Sequence, residues 1–267
     1  MKTSRLKAIV IVLLSLLDLF LLSLLMSRRL EERAARERLV TQLVTLFDSV
    51  GIALPEELVP REEVRLSPVE PVRDLDAEAR FAGTLLGDCD REDVGGGIYR
   101  YVGELGQCLL RSGGAVEAEL SRDVGDPEAY SESLFALFGY VPAEVALHEG
   151  SGSVTGVKMP AGIRIFNARL VLGFSDGLLT EVSGSFVPAC DTVGRGGGLD
   201  GVTALVRFLD YTRASGEVCT EVKALTGGYL LQSTASAPQR LYPVWCVETD
   251  VFRYYVNIVN GEVTREA

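Results

Sequence analysis

The sequence predicts an α+β protein, with an N-terminal transmembrane helix followed by two subdomains that each combine an antiparallel sheet with helices. Three observations predict this class. A nearly unbroken apolar run, AIVIVLLSLLDLFLLSLLM, occupies residues 8–26. The later strand-like segments follow one another through short turns, whereas a parallel βαβ series would alternate them with helices. About 230 residues remain beyond the apolar run and its charged flank, enough for one large or two small cores.

The apolar run at residues 8–26 follows a short basic segment, residues 1–7, and has the length of one membrane-crossing helix. A cleaved signal peptide has a shorter apolar region, of about 7–15 residues, followed by small residues. Here Ser27-Arg28-Arg29 follows, which favours a retained anchor. Asp18 lies in the middle of the run, where an ionisable group is costly and often functional. It is interpreted either as a protonated carboxyl or as a contact with a partner helix.

Residues 27–50 continue as a helix, because no Pro or Gly interrupts them and apolar residues recur at helical spacing. That apolar stripe is expected to pack on the protein's own domain, with a partner helix as the alternative. Gly51 ends the helix, and residues 51–73, rich in Pro and Glu, are predicted to be a linker. Basic residues flank the apolar run on both sides, so the positive-inside rule leaves the orientation open.

The first of the two predicted subdomains covers residues 74–150. It contains a helix at Asp74–Gly87, three strands and a second helix at Asp126–Phe138, which has Pro127 in its first turn. The predicted strands are Ile98–Val102, Gln107–Arg111 and Ala115–Leu120.

The second subdomain is predicted over residues 151–267. A hairpin turn, Ser175-Asp176-Gly177, joins its first two strands, and a helix covers Asp200–Ser215. The predicted strands are Gly162–Phe174, Leu178–Pro188, Glu217–Lys223, Gly228–Ser233, Leu241–Thr249, Tyr254–Val259 and Glu262–Thr264.

Four residues near the C-terminus are predicted to have structural roles. Alternation along the strand at Pro243–Thr249 places Trp245 on one face with Val247, so Trp245 is expected to be buried. Tyr254 and Tyr255 lie in the next strand, and Gly261 completes an Asn-Gly hairpin turn.

The charge of the chain limits the classes of partner. The net charge is −11, and residues 1–38 hold 8 of the 26 basic but 4 of the 37 acidic residues, so the rest of the chain carries −15. Such a domain repels nucleic acid, and no nucleic-acid partner is expected. The five cysteines contain no CxxC pair. They are expected to be buried thiols, with two disulfides and one thiol as the alternative.

The chemical motifs in the sequence are weak. Gly196-x-Gly198-x-x-Gly201 matches a dinucleotide fingerprint by letter, but no strand feeds directly into it. Asp88-x-Asp90-x-Glu92-Asp93 departs from a calcium loop at its sixth and twelfth positions and is interpreted as an acidic turn. His148, the single histidine, lies in a loop-like stretch beside Gly150. We therefore predict no catalytic residue, no cofactor and no metal.

Short motifs at both ends of the chain resemble the YycH/YycI family of two-component regulatory proteins from Gram-positive bacteria. They are Leu17–Leu22 in the apolar run, Gly51–Pro55, Arg164–Leu170, Gly228-Tyr229, Leu241–Trp245, Tyr254–Asn257 and Gly261–Val263. The C-terminal part is also similar to PepSY modules, in which an aromatic strand precedes a tight turn and a final short strand.

The resemblance implies a non-catalytic, single-pass protein of the cell envelope with a cytoplasmic N-terminus and an extracytoplasmic domain. The implied partners are the lipid bilayer, a YycG/WalK-type sensor histidine kinase and a paralogous regulator. Asp18 would then pair with a transmembrane helix of the kinase, where a hydrogen bond contributes about 1 kcal/mol. The alternative is a PepSY-like module that restrains a secreted peptidase or binds an envelope polymer.

Overall fold

The structure, a computed structural model, describes residues 17, 19–24, 26, 35, 37–60, 66–189, 198–234 and 237–266. Helix α1 covers residues 37–48. The other helices are α2 (Leu75–Leu86), α3 (Pro127–Leu137) and α4 (Gly201–Ser215), and short 3-10 turns lie at Glu56–Leu58 and Pro160–Gly162. Each of α2, α3 and α4 begins after an aspartate whose carboxylate accepts a hydrogen bond from a first-turn backbone N–H: Asp74, Asp126 and Asp200.

Twelve strands are described. They are β1 (Cys89–Gly95), β2 (Ile98–Gly103), β3 (Gly106–Arg111), β4 (Ala115–Asp123), β5 (Tyr140–His148), β6 (Ser151–Lys158), β7 (Arg169–Ser175), β8 (Leu178–Ser185), β9 (Val222–Thr234), β10 (Ala237–Thr249), β11 (Arg253–Asn257) and β12 (Val263–Arg265).

These strands form two antiparallel sheets. The larger has eight strands in the order β1-β2-β3-β4-β8-β7-β6-β5, and the smaller has four in the order β12-β11-β10-β9. The chain therefore repeats one unit three times, a helix followed by a four-stranded meander: α2 with β1–β4, α3 with β5–β8, and α4 with β9–β12. The first two units share a sheet because their last strands, β4 and β8, pair edge to edge.

One apolar core underlies the eight-stranded sheet. Phe81 and Leu85 of α2 and Phe135 of α3 are fully buried in it, together with inward-facing residues of both four-stranded halves. Gly156 of β6 lies directly beneath Phe135, since a Cβ atom there would come within 2.8 Å of the ring. The two helices thus cover the same core, and the eight strands behave as one packed layer.

A second core lies between the four-stranded sheet and helices α1 and α4. Val40, Leu43 and Phe47 of α1 are buried in it, and the rings of Phe47 and Phe208 stack with their centroids 6.4 Å apart. Part of the apolar stripe of α1 therefore packs on the protein's own domain. Leu39 and Leu46 on the same helix remain 53% and 38% exposed.

The predicted transmembrane helix is wrong for the residues that the structure describes, because none of their helices is long and apolar enough to cross a membrane. Within residues 8–26, the structure describes residues 17, 19–24 and 26, all of them helical. Asp18 and the remainder of that segment lie outside the described residues.

The predicted pair of separate antiparallel subdomains is also wrong. Residues on both sides of position 150 belong to the eight-stranded sheet, since β5 and β6 form a hairpin across it. The physical reason is the pairing of β4 with β8, which joins two meanders into one sheet and covers an edge of each. The acidic segment at residues 88–93, interpreted from sequence as a turn, contributes most of β1.

Four cysteines, Cys89, Cys108, Cys219 and Cys246, are free thiols. Burial raises the pKa of Cys108 and of Cys246 to about 12. Both side chains therefore act as small apolar core residues. Cys190 and Gly196 lie outside the described residues, and Gly201 is the first residue of α4.

Candidate functional site

The C-terminal aromatic residues singled out in the sequence belong to the second core. Trp245 is 1% exposed, and its Nε1–H donates a hydrogen bond of 2.8 Å to the carbonyl of Leu199. The hydroxyl of Tyr254 donates to the carboxylate of Glu217 at 2.6 Å, and burial with this bond raises the pKa of the phenol. These contacts hold α4 and its flanking loops on the sheet.

Tyr255 and Gly261 do not join Trp245 in one site. Tyr255 lies on the opposite face of the four-stranded sheet, where its ring is 5.5 Å from that of Phe166. Gly261 has a φ of +73° in the turn before β12, a backbone conformation that favours glycine. The structure thus places these residues in packing and turn positions, and the candidate site lies elsewhere.

The candidate site is formed where the two sheets meet, around residues 66–74, which we call the junction segment. Val69 in this segment pairs antiparallel with Leu241 of β10, through backbone N···O distances of 3.0 and 2.8 Å. The segment then turns at Pro71 and leads into α2. It therefore connects the four-stranded sheet directly to the first unit of the eight-stranded sheet.

An open cavity of about 630 Å³ lies along the junction segment, and we call it the junction cleft. Residues 69–76 and Ala189 line it. Its carboxylates are Glu70, Asp74 and Asp76. Asp74 caps α2 through the N–H of Ala77 at 2.9 Å, and Asp76 forms no ion pair within the described part of the chain.

The carboxylate of Glu70 in the junction cleft has only an exposed ion-pair partner. Glu70 forms an ion pair of 2.9 Å with Arg240, but the two side chains are 62% and 54% exposed. A hydrogen bond with Tyr242, and then the charge of Glu70, raise the pKa of Arg240. Because exposed ion pairs contribute about 0–1 kcal/mol, a cationic ligand can replace Arg240 at little cost.

The cationic group in the cleft wall, Arg73, is fully engaged. Its guanidinium makes two bonds to the carboxylate of Glu78, at 2.6 and 2.9 Å, and donates to the carbonyl of Gly97 at 2.7 Å. It also lies over the ring of Tyr99, 4.8 Å from the centroid. Glu78 is 4% exposed, so this pair fixes the start of α2 and does not offer a positive charge to the cleft.

A second, small cavity of about 30 Å³ adjoins the inner end of the cleft. Gln239 lines it and is 5% exposed. Its Nε2–H donates to the carbonyl of Phe186 at 2.8 Å, whereas its Oε1 is buried and has no hydrogen-bond partner within the described part of the chain. The cavity has room for a single water molecule, which would supply the missing donor.

Replacing Gly114 with alanine is expected to loosen this junction. Gly114 has a φ of +82°, and a Cβ atom there would lie 1.6 Å from Nε2 of Gln239 and 2.6 Å from the carbonyl oxygen of Phe186. Overpacking of this kind costs about 1–3 kcal/mol. Urea unfolding should show the loss, and Gly125→Ala, which also has a positive φ but no neighbour within 4 Å, is the matched control. Equal losses in the two variants would show that backbone strain is the whole effect.

The remaining polar residues from the sequence do not converge on a site. His148 lies at the end of β5, at the far edge of the eight-stranded sheet from β1. No three Asp, Glu, His or Cys side chains among the described residues are placed to hold a metal ion. The junction cleft was missed because residues 51–73 have the composition of a linker, and its lining residues are distant in sequence from Gln239.

Comparison with known proteins gives weak structural neighbours. No family model matches the chain, and no curated protein matches it. An uncharacterized protein from Eubacterium rectale is 12% identical over 76% of this chain and 81% of its own, with a TM-score of 0.45. The C-terminal domain of Bacillus megaterium YpeB is 12% identical over 74% of this chain and 100% of its own, with a TM-score of 0.38. Likenesses at this level carry no argument about activity or partners.

Proposed function

We propose that this chain is a non-catalytic regulator whose junction cleft binds a basic, extended segment of a partner protein. One observation carries the proposal. The cleft is an open cavity of about 630 Å³ with three carboxylates, Glu70, Asp74 and Asp76, while its arginine is engaged with Glu78. The site therefore presents more negative than positive charge to a ligand.

The charge of the whole chain supports the same class of partner. A net charge of −11 attracts cationic segments over distances of about a Debye length and accelerates their encounter. A lysine or arginine side chain fits the carboxylates of the cleft, since both groups are pure donors.

The partner we propose is an extracytoplasmic segment of a YycG/WalK-type sensor histidine kinase, on the basis of the sequence motifs given above. Regulation then follows from binding, because a protein that binds one conformation of the kinase more tightly shifts the kinase toward that conformation. The alternative is that a secreted peptidase binds in the same cleft and is restrained by this protein.

Charge reversal in the cleft is expected to weaken binding of a lysine-rich peptide of alternating Lys and Val. The double variant Glu70→Lys/Asp76→Lys removes two acceptors and adds two repulsive charges. We expect a loss of about five- to thirtyfold in affinity, from about 0.5–1 kcal/mol for each of the two changed side chains. Fluorescence anisotropy with the full chain and a labelled peptide at low and high salt measures it.

The matched control is Glu128→Lys/Glu132→Lys on α3, which makes the same change of net charge at exposed positions away from the cleft. Equal weakening in both double variants would mean that net charge, not the cleft, attracts the peptide, and would contradict the proposal. Repeating the measurement with the purified kinase and with a peptidase then distinguishes the two partners.

A further inference from the structure

The two sheets present four edge strands, and three of them are protected. An unpaired edge can join another chain, so proteins protect edges with charge, short strands or a covering segment. Four consecutive charged residues, Asp90–Asp93, occupy β1, and its pairing with β2 is irregular near Gly95. β12 is three residues long.

The third protected edge is β9, which other segments cover. Ala53 forms a parallel bridge near its start at Glu221, with N···O distances of 2.8 and 2.9 Å. Ile165 forms a second parallel bridge at Tyr229, where two backbone bonds of 2.9 Å flank it. A partner strand therefore meets an occupied edge here.

The fourth edge, β5, carries Pro142 and an irregular register in its first half only, and no described segment covers its second half, Glu144–His148. It is nine residues long, pairs on one side with β6, and is exposed over six consecutive residues, 141–146. Glu144 is the single charged residue among these six, and Val141 and Val145 are each 47% exposed. The second half of β5 is therefore a mainly apolar edge on which another strand can pair.

The two faces of β5 differ in character. Leu147 packs against the core beneath the eight-stranded sheet, so Val145, two residues earlier, faces the same side. Glu144, Ala146 and His148 face the other side. This alternation is regular, because pairing with β6 is continuous from Glu144 to His148 and the irregularity lies before it, between Pro142 and Glu144.

We propose that β5 pairs antiparallel with β5 of a second copy of this chain, around a two-fold axis at Ala146. A two-fold axis perpendicular to the sheet places one residue opposite itself. With Ala146 at the centre, Glu144 lies opposite His148 of the second copy, and Val145 lies opposite Leu147 of the second copy. Two eight-stranded sheets then become one continuous sheet across the dimer.

Polar complementarity selects this register over its neighbours, because an imidazole N–H can donate a hydrogen bond to a carboxylate. An axis at Glu144 puts two carboxylates opposite each other, which is unfavourable. An axis at Val145 or at Leu147 leaves Glu144 opposite Ala146 or Gly150. With the axis at Ala146, the carboxylate of Glu144 lies opposite the imidazole of His148 on one face of the sheet. On the face that covers the core, the apolar side chains of Val145 and Leu147 lie opposite each other. The fold already contains one antiparallel edge-to-edge pairing of two four-stranded units, between β4 and β8.

Sedimentation of the full chain in a mild detergent over a range of concentrations tests the proposal. A dimer is expected, and Val145→Lys should raise its Kd about tenfold, because it alters two symmetry-related pairs. The control is Val94→Lys on β1, which is 48% exposed and makes the same change at the opposite edge. A monomer at every concentration, or equal effects of both variants, overturns the proposal.

The register has its own test. Glu144→Lys and His148→Glu should each weaken the dimer, and the double variant, which places an ammonium opposite a carboxylate, should restore it. Ala146→Cys should give a disulfide-linked dimer under mild oxidation, since directly opposed Cα atoms in antiparallel strands lie about 4.5–5.5 Å apart, within the range for a disulfide. Failure of the double variant to restore the dimer, together with no cross-link at Ala146, overturns the register.

Discussion

Replacing Trp245 with alanine is expected to destabilise the protein by about 3–5 kcal/mol. The indole is 1% exposed and is the largest fully buried side chain among the described residues. Its loss leaves a cavity between β10 and α4 and an unpaired carbonyl at Leu199. Denaturant unfolding followed by circular dichroism measures the change, since Trp245 is the single tryptophan and its fluorescence disappears in the variant.

Two further variants separate packing from hydrogen bonding at this position. Trp245→Phe keeps much of the apolar volume but removes the Nε1–H donor, so it should cost less than the alanine variant. Val251→Ala, at a side chain that is 51% exposed, should stay within about 0.5 kcal/mol of the unchanged protein. A Trp245→Ala variant as stable as Val251→Ala would contradict the packing described for the second core.

Breaking the buried ion pair of Arg73 and Glu78 is expected to have the second large effect. Arg73→Met leaves the carboxylate of Glu78, whose side chain is 5% exposed, without its cationic partner. Removing one member of a buried pair costs about 3–5 kcal/mol, and the 24% exposure of Arg73 favours the lower end. The double variant Arg73→Met/Glu78→Leu should lose less than the two single losses combined, which a double-mutant cycle in urea measures.

An exposed ion pair nearby supplies the comparison for this cycle. Arg111 and Glu117 lie 3.2 Å apart, with side chains 35% and 61% exposed. Such a pair contributes about 0–1 kcal/mol, so its cycle should give a small coupling energy. A coupling energy between Arg73 and Glu78 as small as that between Arg111 and Glu117 would contradict the role given to this pair in stabilising the start of α2.

Helix positions were predictable because their signals are local. The predicted helix at Asp74–Gly87 becomes α2 at Leu75–Leu86, since an aspartate cap and a terminal glycine mark its two ends. α3 and α4 follow the same rule after Asp126 and Asp200. Trp245 is buried where strand alternation places it, because that pattern also depends on near neighbours in sequence.

The sheet arrangement and the junction cleft were not predictable in this way. The pairing of β4 with β8 joins residues about 60 positions apart, and no local pattern specifies it. β5 was missed because Pro142 interrupts its apolar run, and β6 because its glycine and serine content is typical of loops. The cleft depends on a linker-like segment pairing with β10, and the small cavity beside it is closed by Gln239 from a distant part of the chain.

The packing of α1 against the last strands has a consequence for synthesis on the ribosome. Phe47 is buried beside Phe208 and the four-stranded sheet, which the C-terminal part of the chain completes. Translation proceeds from the N-terminus at about 5–20 residues per second, so the apolar face of α1 emerges well before β9–β11 exist to cover it. The apolar face of α1 therefore stays uncovered by its native partners until the C-terminal strands have left the ribosome.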